Sequence, residues 1–111
     1  MIHQFINNGY YITLDVYSGA IHLTDEVSQK AIELYEFLPK EKAILELKKA
    51  FPQNPDLKDD KQIEELFESI DSLRAAGTLY SEDIYEEYAG KLKNDGKVIK
   101  ALCLHVAHCC N

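Results

Sequence analysis

The residues of this chain with the most capacity for metal or redox chemistry lie together near its C-terminal end. All three cysteines, Cys103, Cys109 and Cys110, fall within the last nine residues, beside His105 and His108. A framework of structural disulfides spreads cysteines through a chain, so this cluster indicates metal or redox chemistry, or a part of such a motif. Zinc binding by HxxHCC is disfavoured, because the spacing is uncommon and adjacent cysteines strain a tetrahedral site.

Composition sets the class of protein that must carry this cluster. The chain has 111 residues, 46% hydrophobic and 28% charged, which predicts one modest folded domain. Its net charge of -7 disfavours nucleic acids and anionic membranes, because both require clustered Lys and Arg. No apolar run approaches the roughly 20 residues of a membrane span. No signal peptide is recognised either, so a cytoplasmic protein is predicted.

The first quarter of the chain has the pattern of antiparallel strands. Segments rich in Ile, Tyr, Phe and Val run from Ile2 to Ile6, from Tyr10 to Asp15 and from Ala20 to Leu23. Asn7-Asn8-Gly9 and Tyr17-Ser18-Gly19 separate them, and both supply the positive φ of tight hairpin turns. Apolar and polar residues alternate along the second segment. We therefore expect a three-stranded antiparallel sheet with one face more apolar than the other.

Three helices are predicted next, at about 25–38, 40–51 and 60–76. Pro39 ends the first, Pro52 and Pro55 follow the second, and Gly77 stands at a C-terminal cap. A short strand is expected at Thr78 to Tyr80. Together these elements predict an α+β fold whose helix–helix–helix–strand order is winged-helix-like.

The remaining residues divide into two parts. Residues 81–97 are charged and contain tyrosines, which favours a linker with some helix. Val98 to Val106 is almost continuously apolar and predicts a strand buried on both faces, as in parallel sheets. Such a strand is expected to seek a partner, either the domain's own sheet edge or another copy of the chain.

Winged helices often bind DNA through the third helix, so the charge of this helix decides whether DNA binding fits the sequence. From Gln62 to Arg74 the third helix carries four acidic residues and one arginine. Phosphates would be repelled along its length, so the sequence disfavours DNA binding whatever the fold.

The C-terminal cluster resembles the start of a radical-SAM domain. In that family a strand leads into a CxxxCxxC loop whose thiolates hold three irons of a 4Fe–4S cluster, and S-adenosylmethionine chelates the fourth. Ala101 to Val106 is similar to that strand, and Cys110-Asn111 to the opening Cys-Asn of the loop. The resemblance implies that Cys110 is the first cluster ligand in a longer protein. It also implies that this chain alone holds no cofactor and is inactive.

A narrower resemblance covers nearly the whole chain. It is to the radical-SAM maturases of six-cysteine (SCIFF, or ranthipeptide) peptides, and its residues are Met1–Phe5, Leu14–Val16, Ser18-Gly19 and Ala101–His108. These enzymes install thioether crosslinks in ribosomally made peptides. The chain departs from the pattern at Cys109, where an acidic residue is expected.

The resemblance implies a division of the chain by function. Residues 1–80 would be a PqqD-like recognition element that binds the precursor's leader peptide, 81–97 a linker, and 98–111 the start of the radical-SAM domain. Such an element would bind by strand addition, which uses main-chain hydrogen bonds for affinity and side-chain pockets for specificity.

The expected peptide-binding residues come from an open strand edge and the third helix. The edge carries neither Lys nor Pro, the residues that usually block one. Acidic residues of the helix are candidates to hold basic leader side chains. The full set is Gly19, Ala20, Ile21, His22, Leu23, Thr24, Glu65, Leu66, Ile70, Asp71, Leu73 and Arg74.

Two alternatives stay open at this point. The apolar residues of the third helix are often plain core, and Val98 to Val106 is able to cover the strand edge. The chain as a whole also fits a stand-alone protein-interaction module or a regulator with no enzymatic context.

Overall fold

The computed structural model describes residues 1–92, and its first part is a small open sheet. Strands β1 (Ile2–Asn7), β2 (Tyr10–Asp15) and β3 (Ile21–Thr24) are antiparallel and lie in the order β1-β2-β3. The register pairs Phe5 with Ile12 and Ile12 with Leu23. The three-stranded meander expected from the sequence is confirmed.

Both hairpin turns use the backbone conformations that their sequences favour. Asn8 and Gly9 have φ values of 49° and 81°, as a two-residue type I′ turn requires. In the second hairpin Gly19 has φ 73°, and its N–H donates to the Asp15 carbonyl at 2.8 Å. Asp15 N–H in turn donates to the Ala20 carbonyl at 2.9 Å, which closes the hairpin.

The helices are α1 (Glu26–Phe37), α2 (Lys40–Ala50) and α3 (Asp60–Ala75). The side chains of Asp25 and Asp59 cap α1 and α3 by accepting backbone N–H groups at 2.7 and 3.0 Å. After α3, Thr78 N–H donates to the Leu73 carbonyl and Gly77, with φ 70°, takes the left-handed conformation. This is a Schellman ending.

The strand expected at Thr78 to Tyr80 is absent, which corrects that prediction. The segment bends instead, and Tyr80 has φ 54°. Side chains rather than a strand partner satisfy it: His22 bonds the Thr78 carbonyl, and the Tyr80 hydroxyl donates to the Ile32 carbonyl at 2.6 Å.

Residues 81–92 contain little regular structure. They form a 3₁₀ turn at Glu86–Tyr88 and one helical turn at Ala89–Leu92. The strand predicted at Val98 to Val106 lies outside the described residues.

The apolar core lies among the helices and the segment that follows α3. Ring packing contributes there, since Tyr35 and Phe67 meet edge to face with centroids 5.0 Å apart. The α+β prediction is confirmed as helices packed on one side of an antiparallel sheet. The buried apolar residues are Ala31, Ile32, Ala43, Leu47, Leu57, Ile63, Phe67, Ile70 and Leu79.

The sheet turns its more polar face toward those helices. Thr13 and Asp15 are completely buried, and Gln4 shares their face. The Gln4 side-chain amide donates to the Gln29 carbonyl at 2.9 Å, and the Gln29 amide donates to the Ile12 carbonyl at 3.0 Å. Sheet and helix layers are thus joined largely by hydrogen bonds from amide side chains.

No helix within residues 1–92 has the length and apolar character needed to cross a membrane.

Two leucines of α2 give a matched test of this core. Leu47 is fully buried, whereas Leu45 is 53% exposed on the same helix. Leu47→Ala should lower the free energy of unfolding by about 2–5 kcal/mol, because it removes buried contacts and leaves a cavity. Leu45→Ala should change it by no more than about 0.5 kcal/mol. Urea denaturation followed by circular dichroism measures both, and equal losses would contradict the described core.

Candidate functional site

Strand β3 is an end strand whose outer edge has no strand partner within residues 1–92. Asp15 N–H donates to the Ala20 carbonyl, and the register continues with Thr13 opposite His22. In an antiparallel pair only alternate residues direct their main-chain groups to the neighbour. Ala20, His22 and Thr24 therefore face β2.

Ile21 and Leu23 consequently direct their N–H and C=O groups away from the sheet. The opposite side of β2 agrees with this phase, since Val16 N–H donates to the Met1 carbonyl at 3.0 Å across the β1 interface. The edge thus offers two donors and two acceptors to an extended chain.

The side chains of β3 alternate between the two faces of the sheet. His22 points toward the helices, where its Nε2 lies 2.7 Å from the Thr78 carbonyl oxygen. Ile21 and Leu23 point to the opposite face and are 71% and 69% exposed. A strand added at this edge would lie beside the helices on one face of the sheet and beside Ile21 and Leu23 on the other.

Each end of β3 is adjacent to one half of α3. Leu66 lines a cleft of about 390 Å³ together with residues 25–28, which directly follow β3. Arg74 lines a second cleft with Tyr17 and Ser18, which precede β3. Two clefts therefore join α3 to the segments that flank β3 at its two ends, and among the described residues none of β3 itself lines either cleft.

The apolar residues predicted on α3 differ in their availability. Ile70 is only 3% exposed and belongs to the core. Leu66 and Leu73 are half-buried and pack against that core while keeping part of their surface accessible. Ile70 is therefore unavailable to a ligand, whereas the two leucines keep surface that a ligand could contact.

The charged residues predicted on α3 already have partners in the domain. Glu65 lies 3.7 Å from Lys61, and Asp71 lies 4.0 Å from Arg74, all between charged atoms. Both pairs are on the surface and contribute little stability, so neither holds its acidic residue strongly.

Arg74 has a structural role that its place in the sequence did not reveal. Its guanidinium carbon lies 4.7 Å from the Tyr35 ring centroid and 4.6 Å from the Tyr80 ring centroid. Cation–π contacts of this kind hold the end of α1 and the segment after α3 together. Burial is the main cause that raises the pKa of Tyr80, so its hydroxyl stays protonated and donates to the Ile32 carbonyl.

Asp15 is the second residue that sequence reasoning missed. Its carboxylate is completely buried and accepts from Ser81 N–H at 2.9 Å and from the Ser81 hydroxyl at 2.6 Å. Tyr17 N–H adds a third bond at 3.3 Å. This cluster, here called the Asp15 latch, ties the end of β2 to the chain beyond α3. Its signal in the sequence is slight: one acid at the end of an apolar strand.

Electrostatics explain why a buried carboxylate is stable there. Burial is the largest influence and raises the pKa of Asp15, because it disfavours the charged form. The Ser81 hydroxyl and the N–H groups of Ser81, Tyr17 and Ser18 oppose it and together outweigh it. The pKa of Asp15 therefore lies below its ordinary value of 3.8, and the group is ionised at neutral pH.

Within residues 1–92 no three His, Cys, Asp or Glu side chains are grouped so as to hold a metal ion. The predicted cluster ligand Cys110 lies outside the described residues. No known family model matches the chain, and a search of curated proteins finds no significant match.

The Asp15 latch has a defined pH dependence. Because the folded pKa of Asp15 is depressed, its contribution to stability is fully present above pH 3.8 and is lost as pH falls through the folded value. Ser81→Ala removes one charge-assisted donor and should cost about 1–3 kcal/mol at pH 7. The loss should shrink as pH falls through the folded pKa, because protonation of the carboxyl weakens the bond that Ser81 donates to it.

Denaturant unfolding at pH 7 and near pH 2.5 checks this expectation. Ser69→Ala is the control, because Ser69 is an exposed serine whose hydroxyl bonds only the Glu65 carbonyl of its own helix. Its effect should stay within about 0.5 kcal/mol at both pH values. An equal loss for Ser81→Ala at the two pH values would show that the latch is not ionic.

Proposed function

We propose that residues 1–80 bind the leader segment of a ribosomally made, cysteine-rich precursor peptide as a strand added to the edge of β3. The observation that carries this proposal is the outward main chain of Ile21 and Leu23, which has no strand partner within residues 1–92, together with the accessible surface of Leu66 and Leu73 on α3. An extended peptide supplies the complementary donors and acceptors whatever its side chains are.

The energies indicate how the binding is divided. Four main-chain hydrogen bonds contribute about 0.5–1.5 kcal/mol each, or roughly 2–6 kcal/mol in total. Micromolar affinity requires about 8 kcal/mol, and ordering the peptide adds a cost. Leader side chains must therefore supply the remainder, and the clefts beside Leu66 and Arg74 are where they would enter.

Charge favours a neutral or basic leader. The cleft beside Leu66 is lined by Asp25, Glu26 and Asp56, and no Lys or Arg lines it among the described residues. The chain as a whole has a net charge of -7. A Lys or Arg of the leader would place its aliphatic stem against Leu66 and its charge among these carboxylates.

The enzymatic context belongs to the same proposal and rests on the resemblance of the C-terminal segment. In a cytoplasmic radical-SAM maturase, Cys110 would be the first 4Fe–4S ligand, and S-adenosylmethionine would complete the cofactor. Residues 1–80 would raise the effective concentration of the core peptide at that site by holding its leader. The active site would then form thioether bonds without having to bind each core sequence tightly.

Translation of the gene beyond the codon for Asn111 tests this context directly. The radical-SAM proposal expects cysteines four and seven positions after Cys110. Their absence would leave the alternative, a stand-alone interaction module or regulator, with the binding edge unchanged.

A proline at the edge tests strand addition. Leu23 pairs with Ile12 at a position without ladder hydrogen bonds, so Leu23→Pro removes an outward N–H and spares the sheet. Its affinity for the leader should fall roughly tenfold, since one main-chain bond and the extended fit are lost. Leu23→Ala keeps the N–H and should bind better than Leu23→Pro.

The proposal expects a short cysteine-rich precursor to be encoded beside the gene. Calorimetry with a synthetic leader of that precursor measures these affinities, and its core segment is the comparison peptide. Circular dichroism confirms that each variant is folded. Heat with the core but none with the leader would overturn the proposal. Equal binding by the proline and alanine variants would exclude the β3 edge.

A further inference from the structure

The sheet face turned away from the helices is apolar on all three strands. The register aligns Phe5 of β1 with Ile12 of β2 and Leu23 of β3, and it aligns Leu14 with Ile21. Ile21 and Leu23 are about 70% exposed, and Phe5 is 39% exposed. We call these five side chains the outer apolar face. In an antiparallel sheet with one covered side, the exposed side is normally the polar one.

The outer apolar face is also uncharged. The chain contains 12 basic and 19 acidic residues, yet none of them occupies an outward position of the paired strands. A partner recognised by charge, or an anionic membrane, would find no complementary group there. A second copy of the same neutral face meets no like-charge repulsion at contact. The outward positions are His3, Phe5, Asn7, Tyr10, Ile12, Leu14, Ile21 and Leu23.

We propose that two copies of this chain associate through the outer apolar face, sheet against sheet. Stacked sheets lie about 10 Å apart, with their side chains interdigitated. A two-fold axis parallel to the central strands would place β1 of each copy opposite β3 of the other. Phe5 of one copy would then contact Ile21 and Leu23 of its partner, and the closed symmetry would stop further growth.

The size of the face sets the strength of this dimer. Five apolar side chains with their flanking rings offer roughly 500 Å², within the range of the largest patch on a typical monomer. Two copies would bury about 1,000 Å², the lower limit for a specific interface. The dimer should therefore be weak and concentration-dependent. Its association should strengthen with salt, because added ions screen the repulsion between two chains of charge -7.

The dimer leaves the peptide-binding edge free. The main-chain groups of Ile21 and Leu23 lie in the plane of the sheet, whereas their side chains stand perpendicular to it. A leader strand at each β3 edge and a second sheet on the outer face therefore occupy different directions around the same strand. The dimer would present two edges for two leaders.

Sedimentation equilibrium of the whole 111-residue chain, from low micromolar to millimolar concentration, tests the dimer. We expect a reversible monomer–dimer equilibrium. Phe5→Lys and Leu23→Lys should each weaken it at least tenfold, because each would bury an unpaired charge. Phe37→Lys is the control, since Phe37 is 79% exposed on α1 and lies outside the face. It should leave the equilibrium unchanged.

The two face variants separate this dimer from association through strand edges. Edge pairing at β3 would survive Phe5→Lys, because Phe5 lies on the opposite end strand. A dimer that persists in Phe5→Lys therefore overturns the proposal. A chain that is monomeric at every concentration also overturns the proposal. This includes the case in which hydrogen exchange shows that the chain's own residues cover the outer apolar face. Leader binding by folded Phe5→Lys should match the unaltered chain.

Discussion

One buried carboxylate joins the sheet to the chain beyond α3. Asp15 ends the central strand, and Ser81 follows the last turn after α3, so their two hydrogen bonds join positions 66 residues apart. Without that connection the second hairpin would be held to the chain beyond α3 mainly by the bond between His22 and the Thr78 carbonyl. A charge that is buried and fully hydrogen-bonded is strongly directional, because any displacement leaves it desolvated and unpaired. The Asp15 latch thus fixes the position of β2 relative to the segment after α3 more sharply than apolar contacts alone would.

The sheet turns its polar face toward the helices because the polar side chains on that face find hydrogen-bond partners there. Gln4 and Gln29 exchange bonds between sheet and α1, and buried Thr13 lies within 3.5 Å of the hydroxyl of Thr24. The helices enclose most of the apolar core, and Ile2 is the sheet residue that packs against it within residues 1–92. Polar side chains at this layer give a specific register, since each amide has only one arrangement that satisfies it. The apolar residues are consequently left on the other side.

Local sequence patterns were enough to predict the strands and helices. They were not enough to predict contacts between residues that are distant in the sequence. Asn8-Gly9, Pro39 and Gly77 are short-range signals, and the strands and helices they delimit agree with the structure to within one or two residues. The error at Thr78 to Tyr80 arose because that segment is shaped by His22 and Ile32, which are remote in sequence. Alternation in β2 predicted an apolar face but not its direction, which only the packing of α1 decides. Of the predicted binding residues, the β3 edge follows from strand order. The inward face of α3 was also predicted, but only the structure shows that Ile70 is core while Leu66 and Leu73 are half-buried.

In strand β3 the main chain and the side chains form two separate surfaces, which evolution can change independently. At Ile21 and Leu23 the peptide groups are identical for almost any amino acid, so substitutions there leave the edge's hydrogen-bonding pattern intact. Replacing their apolar side chains by polar ones, in contrast, changes only the binding preference of the outer apolar face. Proline is the exception that affects both. Substitutions at these two positions, in evolution or in design, can therefore change what binds the outer apolar face without changing the main-chain hydrogen bonds that the β3 edge offers.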